Sequence, residues 1–203
     1  MAERPEITEK DREISRRFDF DYFDGDRRHG YGGFSYHPRF WTETVDLFSK
    51  YYGLTGNSAI LDVGCAKGFM LKDFSKRLPG AQLAGVDIAP YAIENAEPEV
   101  ASLLKVASAE NLPFEDNSFD LVISINTVHN LERDGCLRAF AEIERVSSGS
   151  AFVMVDGWKS AQERDLLQSW VLTAKTMLSD EEWVALMNEA GYTGDYAFWN
   201  PLC

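Results

Sequence analysis

From residue 39 onward, two patterns of hydrophobic residues alternate along the chain. Apolar residues at three- and four-residue steps predict helices over 39–52, 68–78, 90–96 and 132–145. Short apolar runs between these helices predict strands over 59–63, 82–87, 103–106, 119–125 and 151–155. Such alternation of strands and helices is typical of a parallel sheet covered by helices. The sequence therefore predicts an α/β fold with a Rossmann-like, doubly wound, mostly parallel sheet and helices on both faces.

Signals near the C-terminal end predict two more helices and a last strand. The apolar pattern over 161–177 predicts one helix, and Ser179 with Glu182 forms a reciprocal capping pair that begins another. Gly191 ends this second helix. Only 192–199 then remain for regular structure, so we expect a single final strand there.

Composition and charge narrow the range of partners. The chain has 203 residues, of which 45% are hydrophobic and 26% charged, as expected for a folded domain with its own core. A net charge of -13 repels nucleic-acid phosphates and anionic lipid surfaces, so we expect neither nucleic acid nor a membrane as partner. The three cysteines are an odd number at wide spacing, which favours neither a disulfide framework nor a zinc site of paired cysteines. Without a long apolar run or an apolar leader, we expect a cytoplasmic protein.

The first predicted strand ends in a glycine turn that excludes the common phosphate-binding motifs. Ligands of doubly wound sheets bind beyond the carboxyl ends of the strands, which makes this turn informative. A dinucleotide fingerprint needs a third glycine where this chain has Phe69, and the turn lacks the Gly-Lys-Ser or Gly-Lys-Thr end of a phosphate loop. Asp62, two residues before Gly64, repels a pyrophosphate and attracts a cation. Asp87 closes the second strand, where an acid binds both ribose hydroxyls. A nucleoside with a cationic tail and no phosphate describes S-adenosylmethionine.

Four stretches between residue 60 and about 156 resemble the class I S-adenosylmethionine-dependent methyltransferases. Residues 60–68 are similar to the first motif of this family, Asp-x-Gly-x-Gly-x-Gly, with Ala66 at the middle glycine. The other similar stretches are the ribose motif at 85–88, the adenine-edge segment at 107–114 and the fourth strand at 118–124. The resemblance implies S-adenosylmethionine as the cofactor and methyl transfer as the activity.

The resemblance also implies roles for single residues. The implied cofactor-binding residues are Asp62, Gly64, Cys65, Gly68, Asp87, Ile88, Ser108, Ala109, Glu110 and Asn126. Asp62 lies at the methionine end in such sites and Asp87 holds the ribose, while Ser108 stands where many relatives have an acid that accepts from the adenine amino group. The final antiparallel hairpin of the family is incomplete in this chain. An incomplete hairpin leaves one sheet edge that is either open or covered by a partner chain, as in a homodimer.

Four further residues are candidates for contact with the acceptor. His129 is the first candidate general base, because an imidazole with a pKa of about 6.5 accepts a proton at neutral pH; alternatively it only begins the next helix. Tyr31 is the second candidate base and a candidate substrate contact. Arg39 either grips a carboxylate or is a solvated cation at a helix start. Trp158, which follows Asp156 after the fifth strand, either lines the acceptor pocket or packs in the core.

Residues 1–38 differ from the rest of the chain in being rich in basic residues, glycines and aromatic rings. Three glycines allow a tight backbone and three rings can contact a sulfonium or a substrate ammonium: Gly30, Gly32, Gly33, Tyr31, Phe34 and Tyr36. Small-molecule methyltransferases, which the chain resembles, commonly close such a segment over the cofactor. We therefore predict a lid over 1–38 and a methyltransferase domain over 39–203. The alternative is an aromatic cluster packed on the sheet.

The sequence thus favours an enzyme that transfers a methyl group to a nitrogen or oxygen atom of a small-molecule acceptor. Two alternatives stay open: another use of the sulfonium, by cyclisation or elimination that releases methylthioadenosine, and a non-catalytic cofactor-binding subunit. A protein or RNA methyltransferase is a third, and the acidic composition argues against RNA.

Overall fold

The computed structural model describes residues 7–32 and 35–200, which form one six-stranded sheet with flanking helices. The strands are β1 (Ala59–Val63), β2 (Gln82–Asp87), β3 (Leu104–Val106), β4 (Phe119–Ile125), β5 (Ser147–Asp156) and β6 (Asp195–Trp199). The helices are α1 (Glu9–Ser15), α2 (Phe20–Phe23), α3 (Pro38–Tyr51), α4 (Phe69–Arg77), α5 (Pro90–Glu94), α6 (Arg133–Val146), α7 (Ala161–Trp170) and α8 (Asp180–Glu189). Across these two ranges, no helix combines the length and the apolar character that crossing a membrane requires.

All six strands run parallel, in the order β3-β2-β1-β4-β5-β6. The chain moves outward from β1 to β3 and then returns to the other side of β1 to form β4. Strand order therefore reverses between β1 and β4, and a crevice opens beyond their carboxyl ends. This arrangement confirms the predicted Rossmann-like, doubly wound α/β fold.

Alternating side chains of β1 separate the core into two layers. Ile60 belongs to the layer under α3 and α4, where it packs in one cluster with Phe74. Leu61 and Val63 belong to the layer under α6 and α8, which includes Phe140. Each large apolar side chain buried in this way contributes about 2 kcal/mol to folding. The central strands are covered on both faces, so their carboxyl ends are rigidly held where the crevice opens.

The structure corrects the helix predicted over 161–177, because α7 ends at Trp170. Beyond α7, backbone donors bind tertiary partners: the N–H of Leu172 donates to the Tyr31 hydroxyl at 2.7 Å. The N–H groups of Lys175 and Thr176 both donate to the carbonyl of His129, at 3.0 and 3.1 Å. In residues 171–178, called here the 171–178 segment, these three N–H groups are therefore satisfied without a helical turn.

The last helix and strand of the described chain agree more closely with the predictions from the sequence. Ser179 and Glu182 form the predicted reciprocal cap, in which the Glu182 carboxylate accepts the Ser179 N–H at 2.8 Å. A single strand, β6, follows α8 and pairs with β5 in parallel. The described residues thus contain no antiparallel hairpin at this edge of the sheet.

Candidate functional site

A cavity of about 580 Å³ opens beyond the carboxyl ends of β1, β2 and β4, where strand order reverses. Asp62 and Gly64 line it from β1, Asp87 from β2 and Asn126 from the residues after β4. Residues of the range 7–32, called here the N-terminal segment, form the opposite wall. We call this space the main cavity, and its volume is within the range of small-molecule sites.

The turn after β1 brings the backbone itself to the cavity wall. Gly64 has a φ of +86°, and a Cβ at this position would lie 1.9 Å from the Thr127 hydroxyl oxygen, so glycine is required. Ala66, at the position of the middle glycine of the motif, adopts a left-handed φ of +47°, which is unfavourable for alanine. Its N–H donates to Asp87 Oδ2 at 2.8 Å, and this charged acceptor stabilises the strained turn.

Asp62 is a buried acid that faces the main cavity. Only 5% of the residue is exposed, and no group among the described residues donates a hydrogen bond to its carboxylate. Burial, together with the nearby charge of Asp87, raises the pKa of Asp62 to about 8. A cation placed beside this carboxylate relieves its isolation. This end of the main cavity therefore favours a ligand with positive charge.

Asp87 is fixed by the backbone around it. Its Oδ1 accepts the N–H of Ala89 at 2.9 Å and its Oδ2 accepts the N–H of Ala66 at 2.8 Å. Burial raises the pKa of Asp87, and these backbone hydrogen bonds oppose the rise. A carboxylate has about four lone-pair sites, so Asp87 can accept further hydrogen bonds from two neighbouring hydroxyls on the cavity side.

An apolar surface lies next to these acids. Ile88 is 56% exposed although it is apolar, and it lines the main cavity with Ser108 and Ala109. Such a surface suits a flat heterocycle. The Ser108 hydroxyl accepts the N–H of Glu110 at 3.1 Å. Glu110 itself pairs with Arg138 at 2.5 Å and is not among the lining residues.

Asp24 attaches the N-terminal segment to the glycine turn. Lys67, only 7% exposed, places its Nζ 2.6 Å from Asp24 Oδ1. The Tyr91 hydroxyl donates to Asp24 Oδ2 at 2.7 Å, and Phe23 stacks on the Tyr91 ring with centroids 6.2 Å apart. These contacts bind α2 to the glycine turn and to α5.

The other side of the N-terminal segment binds α7 and the 171–178 segment. Arg12 donates from Nε to the Val171 carbonyl at 3.2 Å and from its guanidinium to the Gln168 carbonyl at 3.0 Å. Held at both sides, the segment lines one wall of the main cavity with Phe18 and Tyr22. Of the predicted lid residues, Tyr36 donates instead to Asp73 on α4. Gly33 and Phe34 lie outside the described residues.

A smaller space of about 190 Å³ adjoins the main cavity and shares three of its lining residues. We call it the side chamber, and it is lined by Tyr22, Tyr31, Asn126, His129, Asp156, Trp170 and Trp199. The Tyr31 and Trp170 rings stack with centroids 6.3 Å apart, and Trp170 and Trp199 lie 6.4 Å apart. Aromatic rings therefore follow one another along the wall of this chamber.

Both candidate bases lie in the wall of the side chamber and are bonded to the backbone. His129 Nδ1 accepts the N–H of Asp156 at 3.1 Å. Burial lowers the pKa of His129, although the Asp156 carboxylate and the Asn126 backbone oppose this change. Burial raises the pKa of Tyr31, whose hydroxyl accepts the N–H of Leu172. At neutral pH this geometry supports an uncharged imidazole and an uncharged phenol.

Three other predicted site residues lie away from both spaces. Arg39 is exposed on α3, where its guanidinium lies 4.6 Å from the centre of the Phe40 ring. Trp158 packs against the cluster that includes Leu167. Gly68 begins α4 with a φ of +79°, behind the lining of the main cavity. By contrast, Cys65 lines the main cavity and Asn126 lines both spaces.

Most residues of the side chamber carry no signal in the sequence that singles them out. Tyr22, Trp170 and Trp199 were not candidates, and Asp156 entered only as the neighbour of Trp158. Asp156 pairs in register with Trp199 across β5 and β6, which turns both side chains to the same face of the sheet. The aromatic content of the N-terminal segment was the one local signal for such a chamber.

The central part of the chain matches a known protein family. Residues 61–154 match the family described as "Methyltransferase domain". The chain is similar in fold to the YcgJ protein from Bacillus subtilis, with a TM-score of 0.60 and 22% identity over 73% of this chain and 67% of that one.

Curated relatives are similar over shorter stretches. A tRNA (carboxymethyluridine(34)-5-O)-methyltransferase from Arabidopsis thaliana is 34% identical over 134 residues, which are 64% of this chain and 31% of that protein. A malonyl-[acyl-carrier protein] O-methyltransferase from Geobacter sulfurreducens is 40% identical over 91 residues, which are 43% of this chain and 33% of that protein. The chain therefore matches about a third of the length of these two relatives.

Proposed function

Because the chain belongs to the class I S-adenosylmethionine-dependent methyltransferases, we propose that it transfers the methyl group of this cofactor to a nitrogen or oxygen atom of a small-molecule acceptor. The observation that carries the proposal is the pair of carboxylates, Asp62 and Asp87, at the ends of β1 and β2 in one cavity. The cations that line this cavity, Arg16, Arg17 and Lys175, belong to the N-terminal segment and the 171–178 segment, so the side formed by the strand ends is the acidic one and favours a positively charged nucleoside.

The residues of the main cavity fit S-adenosylmethionine. Asp62, buried and without a hydrogen-bond donor among the described residues, suits the cationic methionine end. Asp87 suits the two ribose hydroxyls, and the exposed apolar face of Ile88 suits the adenine. The bound cofactor supplies a methyl group activated by its positive sulfur.

The role of the protein in this reaction is to position groups and exclude water. The backbone turn at Gly64 allows close approach of the cofactor, and the N-terminal segment covers the cavity from the other side. Alignment of a nucleophile with a methyl carbon in a closed site can supply much of the rate enhancement. A partly covered cavity of this volume beside a small chamber supports a small acceptor.

The proposed division of the chain is a lid over 1–38 and a methyltransferase domain over 39–203. Its support is that the N-terminal segment supplies cavity-lining side chains and is attached by Asp24 to Lys67 of the glycine turn.

One relative is named for action on tRNA. The net charge of -13 disfavours a polyanionic acceptor for this chain.

Calorimetric titration with S-adenosylmethionine and S-adenosylhomocysteine tests the proposal. We expect micromolar binding by the wild-type protein and a loss of at least about 100-fold in Asp87→Ala, since two charge-assisted hydrogen bonds contribute roughly 3 kcal/mol or more together. Glu43→Ala, at an exposed acid of α3, is the control and should bind as the wild type does.

The outcomes separate the alternatives. Absence of binding to either ligand overturns the proposal. Binding followed by release of methylthioadenosine instead of S-adenosylhomocysteine, in incubations with amine and alcohol acceptors, indicates the non-methylating chemistry. Faster turnover of tRNA than of any small acceptor contradicts the proposed acceptor class.

A further inference from the structure

We propose that the side chamber binds the acceptor as an amine, which enters as an ammonium between the aromatic rings and Asp156. The inference rests on the proposed methyl transfer and names the substrate class for it. The side chamber opens into the main cavity through Tyr22, Tyr31 and Asn126, so its occupant lies next to the cofactor space.

Asp156 supplies the negative charge of the side chamber. Its side chain is only 9% exposed, it lines the chamber, and no group among the described residues donates a hydrogen bond to its carboxylate. The nearest cationic candidate is His129, whose Nδ1 lies 3.7 Å from Asp156 Oδ2. That nitrogen accepts the backbone N–H of Asp156, so it carries no proton toward the carboxylate. A buried carboxylate that accepts no hydrogen bond from the described residues strongly favours a cationic partner.

The aromatic rings that line the same chamber supply the rest of a cation site. Tyr31, Trp170 and Trp199 form a continuous series, and Tyr22 meets Tyr31 edge to face at 6.2 Å. Faces of tryptophan and tyrosine attract ammonium groups, and cages of such rings recognise methylated amines. An alcohol or a carboxylate carries no positive charge, so it gains no comparable attraction from these rings.

Other charges lie outside this chamber. The cations that line the neighbouring main cavity, Arg16, Arg17 and Lys175, are not among the residues that line the side chamber. Lys175 Nζ is 3.8 Å from Glu132. Among the described lining residues of the side chamber, Asp156 is the one acid and none is Lys or Arg, so an ionised Asp156 makes the chamber net negative.

The same carboxylate can accept the proton that methylation requires. The acceptor ammonium gives one proton to Asp156, which leaves a neutral amine with a free electron pair. A bond forms from the amine nitrogen to the methyl carbon while the carbon–sulfur bond breaks and its electron pair stays on sulfur. The methylated ammonium and neutral S-adenosylhomocysteine result, and Asp156 returns its proton to solvent as the products leave. Burial raises the pKa of Asp156, in keeping with this role.

A non-reacting cation tests the site without turnover. The protein is saturated with S-adenosylhomocysteine and titrated with tetramethylammonium chloride, and the neutral isostere tert-butanol is titrated in parallel. Tryptophan fluorescence follows occupancy through Trp170 and Trp199. We expect saturable tetramethylammonium binding at least about tenfold tighter than that of tert-butanol. Equal affinity for the two compounds, or no binding of tetramethylammonium, overturns the inference.

Variants assign the binding to the residues named. Asp156→Asn and Trp199→Leu should each weaken tetramethylammonium binding about tenfold. Their controls, Asp134→Asn on the exposed start of α6 and Tyr196→Leu on the exposed face of β6, should leave it unchanged. Undiminished binding in both Asp156→Asn and Trp199→Leu contradicts the assignment. If one variant fails to fold, the other variant and the comparison with tert-butanol still test whether the side chamber binds the cation.

Turnover assays distinguish the inferred amine acceptor from the proposed methyl transfer on which it rests. Primary, secondary and tertiary amines are compared with alcohols and carboxylates of matched size, with release of S-adenosylhomocysteine as the readout. Failure to bind S-adenosylhomocysteine at all removes the proposed function. Binding of that ligand together with methylation of alcohols or carboxylates in preference to amines removes the amine inference alone.

Discussion

The floor of the main cavity and the side chamber adjoin each other, yet they are built in opposite ways. The floor comes from the ends of two strands that follow each other in the chain, and Asp62, Gly64 and Asp87 lie in that short stretch. The side chamber takes its residues from six separate parts of the chain between Tyr22 and Trp199.

The contrast extends to how each region is held. Backbone hydrogen bonds within the floor join Ala66 and Ala89 to the Asp87 carboxylate. The side chamber is held by long-range contacts, such as the Tyr31 hydroxyl with the Leu172 N–H and the β5–β6 pairing. A local region can keep its geometry when distant parts change, whereas the side chamber depends on the packing of the whole domain.

The largest expected effect is that of Gly64→Ala in the floor. A methyl group at this position would lie 1.9 Å from the Thr127 hydroxyl oxygen, and the backbone has a φ of +86°. We expect the free energy of unfolding to fall by roughly 3 kcal/mol and S-adenosylhomocysteine binding to be lost. Chemical denaturation and calorimetry measure the two effects.

Ala66→Gly is the matched control in the same turn. It puts glycine where alanine already has a positive φ, so stability should change by less than about 1 kcal/mol and binding should persist. If Gly64→Ala were as harmless as this control, the floor would not be the rigid region described above.

Asp62→Asn should affect ligand binding and stability in opposite directions. Loss of the carboxylate weakens S-adenosylmethionine binding by about 10- to 100-fold, because a charged partner contributes roughly 1.5 to 3 kcal/mol. In the ligand-free protein the same change removes an uncompensated buried charge and stabilises the fold by roughly 1 to 3 kcal/mol at pH 8 to 9. Asp134→Asn serves as the control for both measurements.

The pH dependence of this gain follows from the pKa of Asp62. Its value is raised from 3.8 to about 8 in the folded state, so the folded protein binds the proton more tightly than the unfolded chain does. The wild-type protein therefore loses stability from this group as pH rises from about 4 to 8. The advantage of Asp62→Asn should grow over that range; an advantage independent of pH would contradict the assignment.

The smallest effect is expected where the N-terminal segment meets the floor. Asp24→Asn removes the charge that faces Lys67, and we expect a loss of roughly 1 to 2 kcal/mol in the free energy of unfolding. Release of S-adenosylhomocysteine, followed by stopped-flow fluorescence, should accelerate several-fold as the cover loosens. Unchanged stability and release would show that other contacts hold the segment.

Much of the fold was predictable from the sequence because its signals are local. The strands β1, β2 and β4 begin and end as the apolar runs predicted, and the capping pair at Ser179 marks the start of α8. The helix predicted over 161–177 was wrong beyond Trp170, because backbone donors of that part bind Tyr31 and His129. Periodicity cannot reveal such distant partners.

The sequence by itself determined the sheet, the glycine turn and the two acids of the floor, since short-range patterns of apolar residues and glycine specify strand ends and turns. Only the tertiary structure decided that Asp156 lies beside Trp199 on one face of the sheet, through the register of β5 and β6. It also decided that Tyr31 stacks on Trp170 rather than on the sheet. These juxtapositions result from the packing of segments far apart in the chain, and no local pattern encodes the distance between them.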